Sequence, residues 1–120
     1  MSEYSFPKSY RLLSKGDFAR LKSDTQRFQT GSIRCFYKEN SLDHARLGIS
    51  VSKKVGHAVC RNFFKRQIRE FFRTSKLREV SVDMNVVVFP NLTKNFDSAE
   101  KQKEELLNSL QKFQKKLTSQ

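Results

Sequence analysis

The chain has 120 residues, enough for one ordinary domain, and no Pro/Gly/Ser-rich linker divides it. Lys and Arg number 24 against 12 Asp and Glu, a formal charge of +12 with a pI near 10.1; so much like charge on a small domain implies a polyanionic partner, nucleic acid before an anionic membrane surface. No apolar stretch is long enough to span a bilayer. Cys35 and Cys60 have no CxxC pairing to suggest zinc or a disulfide framework and read as free, buried thiols.

Residues 1–13 read as an extended basic arm, with Pro7 discouraging helix before it. The stretch from Met1 to Lys15 is polar and lacks the apolar core of a signal peptide, so a cytoplasmic protein is expected. Residues 14–120 read as a single RNA-binding α+β domain. Ser14 and Asp17 resemble a capping box opening a short helix that runs to about Asp24 and carries Phe18 and Leu21.

From Gln26 to Lys38 the pattern has period two, Ile33, Cys35 and Tyr37 pointing one way and Phe28, Arg34 and Phe36 the other. A polar connection, Glu39 to His44, leads to a strand from Ala45 to about Lys53. Its apolar face holds Leu47, Ile49 and Val51; its other face holds Arg46, Gly48, Ser50 and Ser52. Two strands with one apolar and one polar face are expected to form an antiparallel pair covered on one side. The polar face reads equally well as plain solvated surface.

Gly56 breaks that strand, and a helix is expected from about His57 to Ser75. Val80 to Phe89 is an apolar run stopped by Pro90, as in a buried strand. Asp97 or Ser98 caps a last helix, along which Leu106, Leu110, Phe113 and Leu117 form one stripe. The order is α-β-β-α-β-α in one α+β sandwich without repeats, and a further small strand can hide in a long, bent first strand.

The helix after Gly56 carries the informative charge. Helical spacing puts Cys60, Phe64, Ile68 and Phe71 on a face that can bury, and Asn62, Lys65, Arg66, Arg69 and Arg73 on another, with Arg61 on the border. Glu70 is the one acid nearby, and like charges at i, i+4 cost a few tenths of a kcal/mol each. A charged stripe is ordinarily a solvated face; a stripe of nearly one sign in so basic a chain favours phosphate contact, which Arg can fork in two places. Five such contacts would give binding a log–log salt slope of roughly −3 to −5.

The run Lys53-Lys54-Val55-Gly56-x-Ala58-Val59-x-Arg61-Asn62-x-x-Lys65-Arg66-x-Ile68-Arg69-Glu70 closely resembles the signature of the bacterial ribonuclease P protein family. The likeness extends to a Phe in the first helix, to Gly48-x-Ser50-Val51-Ser52 and to the amphipathic last helix. Phe63 departs from it, standing where the family usually has a third basic residue after Arg-Asn. Lys22 departs too, where a second aromatic often follows the Phe18 position. The resemblance implies a small split β-α-β sandwich whose crossover before the last strand is left-handed, against the general preference.

It also implies an accessory role. The RNA subunit performs the hydrolysis with Mg²⁺, and the protein assists in removing the 5′ leader of precursor tRNA, as a monomer apart from the RNA. Lys53, Lys54, Arg61, Asn62, Lys65, Arg66, Arg69 and Arg73 are the residues expected against the RNA subunit. Phe18, Lys22, Arg34, Phe36, Arg46, Ser50 and Ser52 are expected along the leader. Phe18 and Phe36 can stack on unpaired bases, or can equally be ordinary core. No Asp/Glu/His cluster has the spacing of a protein-only two-metal nuclease, and His44 and His57 read as surface or capping residues. A ribosomal or RNA-chaperone protein of similar fold is the alternative, with a self-sufficient nuclease third.

Overall fold

The computed structural model describes Tyr10, Arg11, Leu21 and residues 25–118. Most of the expected arm and first helix, with Phe18 and Lys22, lies outside the described residues. The expected first strand is two. β1 (Gln26–Thr30) and β2 (Ile33–Glu39) form a hairpin that turns at Gly31, whose φ of +54° suits a residue without Cβ. A methyl group there would also meet Glu105 and Ser109. The turn reverses one expectation. Phe28 stands opposite Cys35, not on the Arg34 face, and its ring lies 6.0 Å from that of Phe113. A single strand cannot place Phe28 and Cys35 on one face; a hairpin can.

β3 (Arg46–Val51) and β4 (Val82–Val88) complete one sheet in the order β1-β2-β4-β3. The expected antiparallel pairing of β2 with β3 does not form. β4 inserts between them, antiparallel to β2 and parallel to β3. Its apolar run explains the central place, since Met84, Val86 and Val88 are buried with strands on both sides.

α1 (Ala58–Thr74) and α3 (Ala99–Thr118) cover one face of the sheet, joined to it by a 3₁₀ turn (Lys76–Glu79) and the short α2 (Asn91–Lys94) that follows Pro90. Phe64, Ile68 and Phe72 of α1 meet Leu106, Leu110 and Phe113 of α3 in a common core with Ile33, Cys35 and Tyr37. Phe72 takes the deep position expected of Phe71, which is half-buried, as is Cys60. The buried arc follows 64, 68 and 72 because the helix lies with that i, i+4 row against its neighbours. Ser98 caps α3, its Oγ accepting from the Lys101 amide at 3.2 Å.

Candidate nucleic-acid interface

Burying Phe64, Ile68 and Phe72 turns the opposite side of α1 outward. Asn62, Arg66 and Arg69 are exposed there, with Lys65 and Arg73 half-buried at the margins. Arg73 pairs with Glu70. Lys65, Arg66 and Arg69 have no ion pair among the described residues, so their charge is uncompensated within the fold. Arg61 lies on the inner side, its Nε donating to the Gly56 carbonyl at 3.1 Å. It braces the entry to the helix more than it offers charge. Phe63 is half-buried with its ring 5.6 Å from that of Phe64, edge to face, so the departure from the usual basic residue adds packing and removes a cation.

The segment before α1 is held from within. Val55 is 2% exposed, and its carbonyl accepts from the Thr93 hydroxyl at 2.7 Å. Turns close through Val55 N–H to Ser52 O and Gly56 N–H to Lys53 O. One buried apolar anchor therefore leaves Lys53 and Lys54 exposed beside the cationic face.

The helices pack on the Cys35 face of the sheet; the other face is built from alternate residues. Residues opposite one another share a face, which groups Arg27, Phe36, Asn85 and Gly48 in one row, then Gln29, Arg34, Val87 and Ser50 in the next. Arg34 donates from Nε and Nη2 to Gln29 Oε1 at 3.1 and 2.8 Å, and its guanidinium lies 5.2 Å from the Phe89 ring centroid. Phe36 is half-buried, so it is neither core nor a free surface ring. Ser52 is exposed at the end of the sheet.

Arg46 differs from the other cations of this face. Its Nε and Nη2 donate to the two carboxylate oxygens of Asp83 at 2.8 and 2.6 Å, and Asp83 also accepts from Asn40 Nδ2 at 3.0 Å. The guanidinium is thus fixed flat at the sheet surface, with much of its charge answered by a buried acid. Sequence reasoning missed Asp83 and Asn85 here. The signal was present, because polar residues two apart within an apolar run mark one face of a strand.

Among the described residues, no three His, Cys, Asp or Glu side chains gather in a way that can hold a metal ion. His44 bonds the Ala45 carbonyl through Nδ1 and lies against Tyr10, while His57 is exposed at the start of α1. Cys35 is fully buried, and burial pushes its thiol far above the usual cysteine range. Cys60 is half-buried. Iodoacetamide at about pH 8 is therefore expected to label Cys60 in the native protein and Cys35 only after denaturation, since the thiolate is the reactive form. Intact-mass measurement reads the result, and prompt native labelling at Cys35 would show that the core opens locally.

An uncompensated cationic helix and a separate polar, partly aromatic sheet face define a small nucleic-acid-binding α+β domain with two surfaces. Comparison with known proteins narrows the class. The family model for ribonuclease P matches residues 6–117. The ribonuclease P protein component of Citrifermentans bemidjiense is 39% identical over 87 residues, 72% of this chain and 75% of the relative. That of Dictyoglomus turgidum is 39% identical over 100 residues, 81% of this chain and 83% of the relative. Among solved structures, a mutant of the Staphylococcus aureus RNase P protein superposes with a TM-score of 0.74 at 33% identity, covering 88% of this chain and 89% of that one. The Thermotoga maritima RNase P protein gives 0.71 at 31% identity, over 85% and 96%. The chain belongs to the ribonuclease P protein family, the protein component of the tRNA-processing endoribonuclease. As such it works with ribonuclease P RNA.

Proposed function

We propose that the chain binds ribonuclease P RNA with the outer face of α1 and holds the single-stranded 5′ leader of precursor tRNA on the open face of its sheet. The observation that carries this reading is the division of the sheet into two unlike faces. One is filled by Phe64, Ile68, Phe72, Leu106, Leu110 and Phe113; the other offers Arg27, Arg34, Phe36 and Ser50. A base stacked on an aromatic ring gains roughly 1–3 kcal/mol whatever its identity, which suits leaders of varied sequence. Phe18 and Lys22 also contact the leader in this reading, and Ser52 lies at the end of the sheet face.

On α1, Arg66 and Arg69 with Lys65, Asn62 and Arg73 meet RNA phosphates, Lys53 and Lys54 add charge at the helix start, and Arg61 acts by bracing Gly56. Hydrolysis belongs to the RNA subunit with its Mg²⁺ ions. In this reading the protein contributes binding and takes no part in the bond-breaking step. The protein acts as a monomer apart from the RNA, in the cytoplasm.

The test is holoenzyme affinity for precursor and mature tRNA. Phe36→Ala is expected to weaken precursor binding at least about fivefold, the lower end of the stacking range, and to leave mature tRNA unchanged. Equal weakening of both forms would make Phe36 a structural residue and overturn the leader reading. Cleavage of precursor tRNA by RNA-free protein would overturn the division of labour.

A further inference from the structure

Asn85 is out of keeping with its strand. Between Val82 and Val88 the polar residues are Asp83 and Asn85, and Asp83 is accounted for by Arg46 and Asn40. A valine at 85 would suit the strand as Val87 does two residues on, and an amide has lower strand preference. The fold gives the Asn85 side chain one hydrogen bond among the described residues, accepted by its Oδ1 from the Ser50 hydroxyl at 3.2 Å.

Its neighbours are those of a reading position. Phe36 stands directly opposite on β2 and Gly48 directly opposite on β3, both on the face away from the helices, Phe36 half-buried and Gly48 buried. Antiparallel partners bring their Cβ atoms to about 4.5–5.5 Å, so a base lying on the Phe36 ring carries its edge toward Asn85. Gly48 puts no side chain in that row. The bond from Ser50 occupies the carbonyl end of the amide, and the two N–H groups of Nδ2 remain to be satisfied by a ligand or water.

We propose that Asn85 reads the edge of the leader base stacked on Phe36, and that Ser50 holds it as a donor. Guanine O6 and uracil O4 accept at the position where adenine N6 and cytosine N4 donate. A fixed donor therefore favours the two keto bases, because facing it with an amino group leaves both donors unpaired. Asn85 is a specificity-determining residue, and Ser50 a positioning residue that sets which end of the amide faces the base. The inference rests on the leader reading of the sheet face.

The experiment uses reconstituted holoenzyme and precursor tRNA with a randomised leader, sequencing the bound and free pools. Wild type is expected to show one leader position where G and U are enriched over A and C by roughly two- to tenfold, the range of one net hydrogen bond. Asn85→Val is expected to erase that enrichment while total leader-dependent binding persists. Ser50→Ala frees the amide to turn over, so the enrichment falls with Asn85 still present. Absence of keto enrichment at every position, or its survival in Asn85→Val, overturns the inference; if Phe36→Ala still weakens precursor binding, the leader reading stands without it. If Phe36→Ala weakens neither tRNA form, the leader reading itself has failed and the role of Asn85 falls with it.

Discussion

A chain carrying Lys65→Glu, Arg66→Glu and Arg69→Glu is expected to fold normally and to lose ribonuclease P RNA at moderate salt. None of the three has an ion pair among the described residues, so their reversal breaks no such interaction. Arg66 and Arg69 are exposed, away from Phe64, Ile68 and Phe72, which are at most 1% exposed and carry the packing of the helix, while Lys65 stands half-buried at the margin of that face. Each phosphate contact contributes close to one unit of the log–log salt slope. The triple variant should therefore lose about three units of slope and more than about 100-fold in affinity, the loss growing as salt falls. Binding across a salt series, with circular dichroism as the check on folding, measures both. Lys65 is half-buried, so the pair Arg66→Glu and Arg69→Glu serves as a variant with both changes fully exposed. Unchanged affinity in either folded variant would move the RNA contact to another surface.

The largest stability effect is expected at Asp83. Its side chain is 4% exposed, and it answers the guanidinium of Arg46, itself 20% exposed, at the first rung of the β3–β4 ladder. Removing one partner of a buried pair leaves the other charge in a place chosen for neutrality, at about 3–5 kcal/mol. Asp83→Ala is accordingly expected to destabilise the domain by that amount in urea unfolding. The double variant Arg46→Met with Asp83→Leu should recover most of it, because replacing both charges with apolar groups removes the penalty as well as the attraction. A loss below about 1 kcal/mol in Asp83→Ala would place the pair among weak surface bridges. Asn40 joins the same carboxylate and also donates to the His44 carbonyl, so the loop before β3 is expected to loosen along with the pair.

Much of this protein was legible before any coordinates. Charge and the one-sided stripe of α1 pointed to nucleic acid, because uncompensated cations at helical spacing have no structural use. The motif around Arg61 and Asn62 carried the family, and the apolar stripes of α1 and α3 carried their buried faces, since a period of 3.6 leaves few alternatives. β4 was legible as a strand because the apolar run from Val80 to Phe89 stops at Pro90.

What only the tertiary structure decided is which strand lies beside which and what each polar side chain touches. Period two gives each strand two faces but does not say that Gly31 folds the first into a hairpin, which sets Phe28 half-buried against the core beside Phe113. Nor does it say that β4 separates β2 from β3, since pairing depends on long-range burial rather than local pattern. That insertion sets Asp83 opposite Arg46 and Asn85 between Phe36 and Gly48. One cation of the sheet thereby becomes part of a buried pair, and an amide hidden in an apolar run comes to lie on the sheet face away from the helices. Contacts between residues some 37 positions apart exist only once the chain has folded, and the sequence records their ends without recording that they meet.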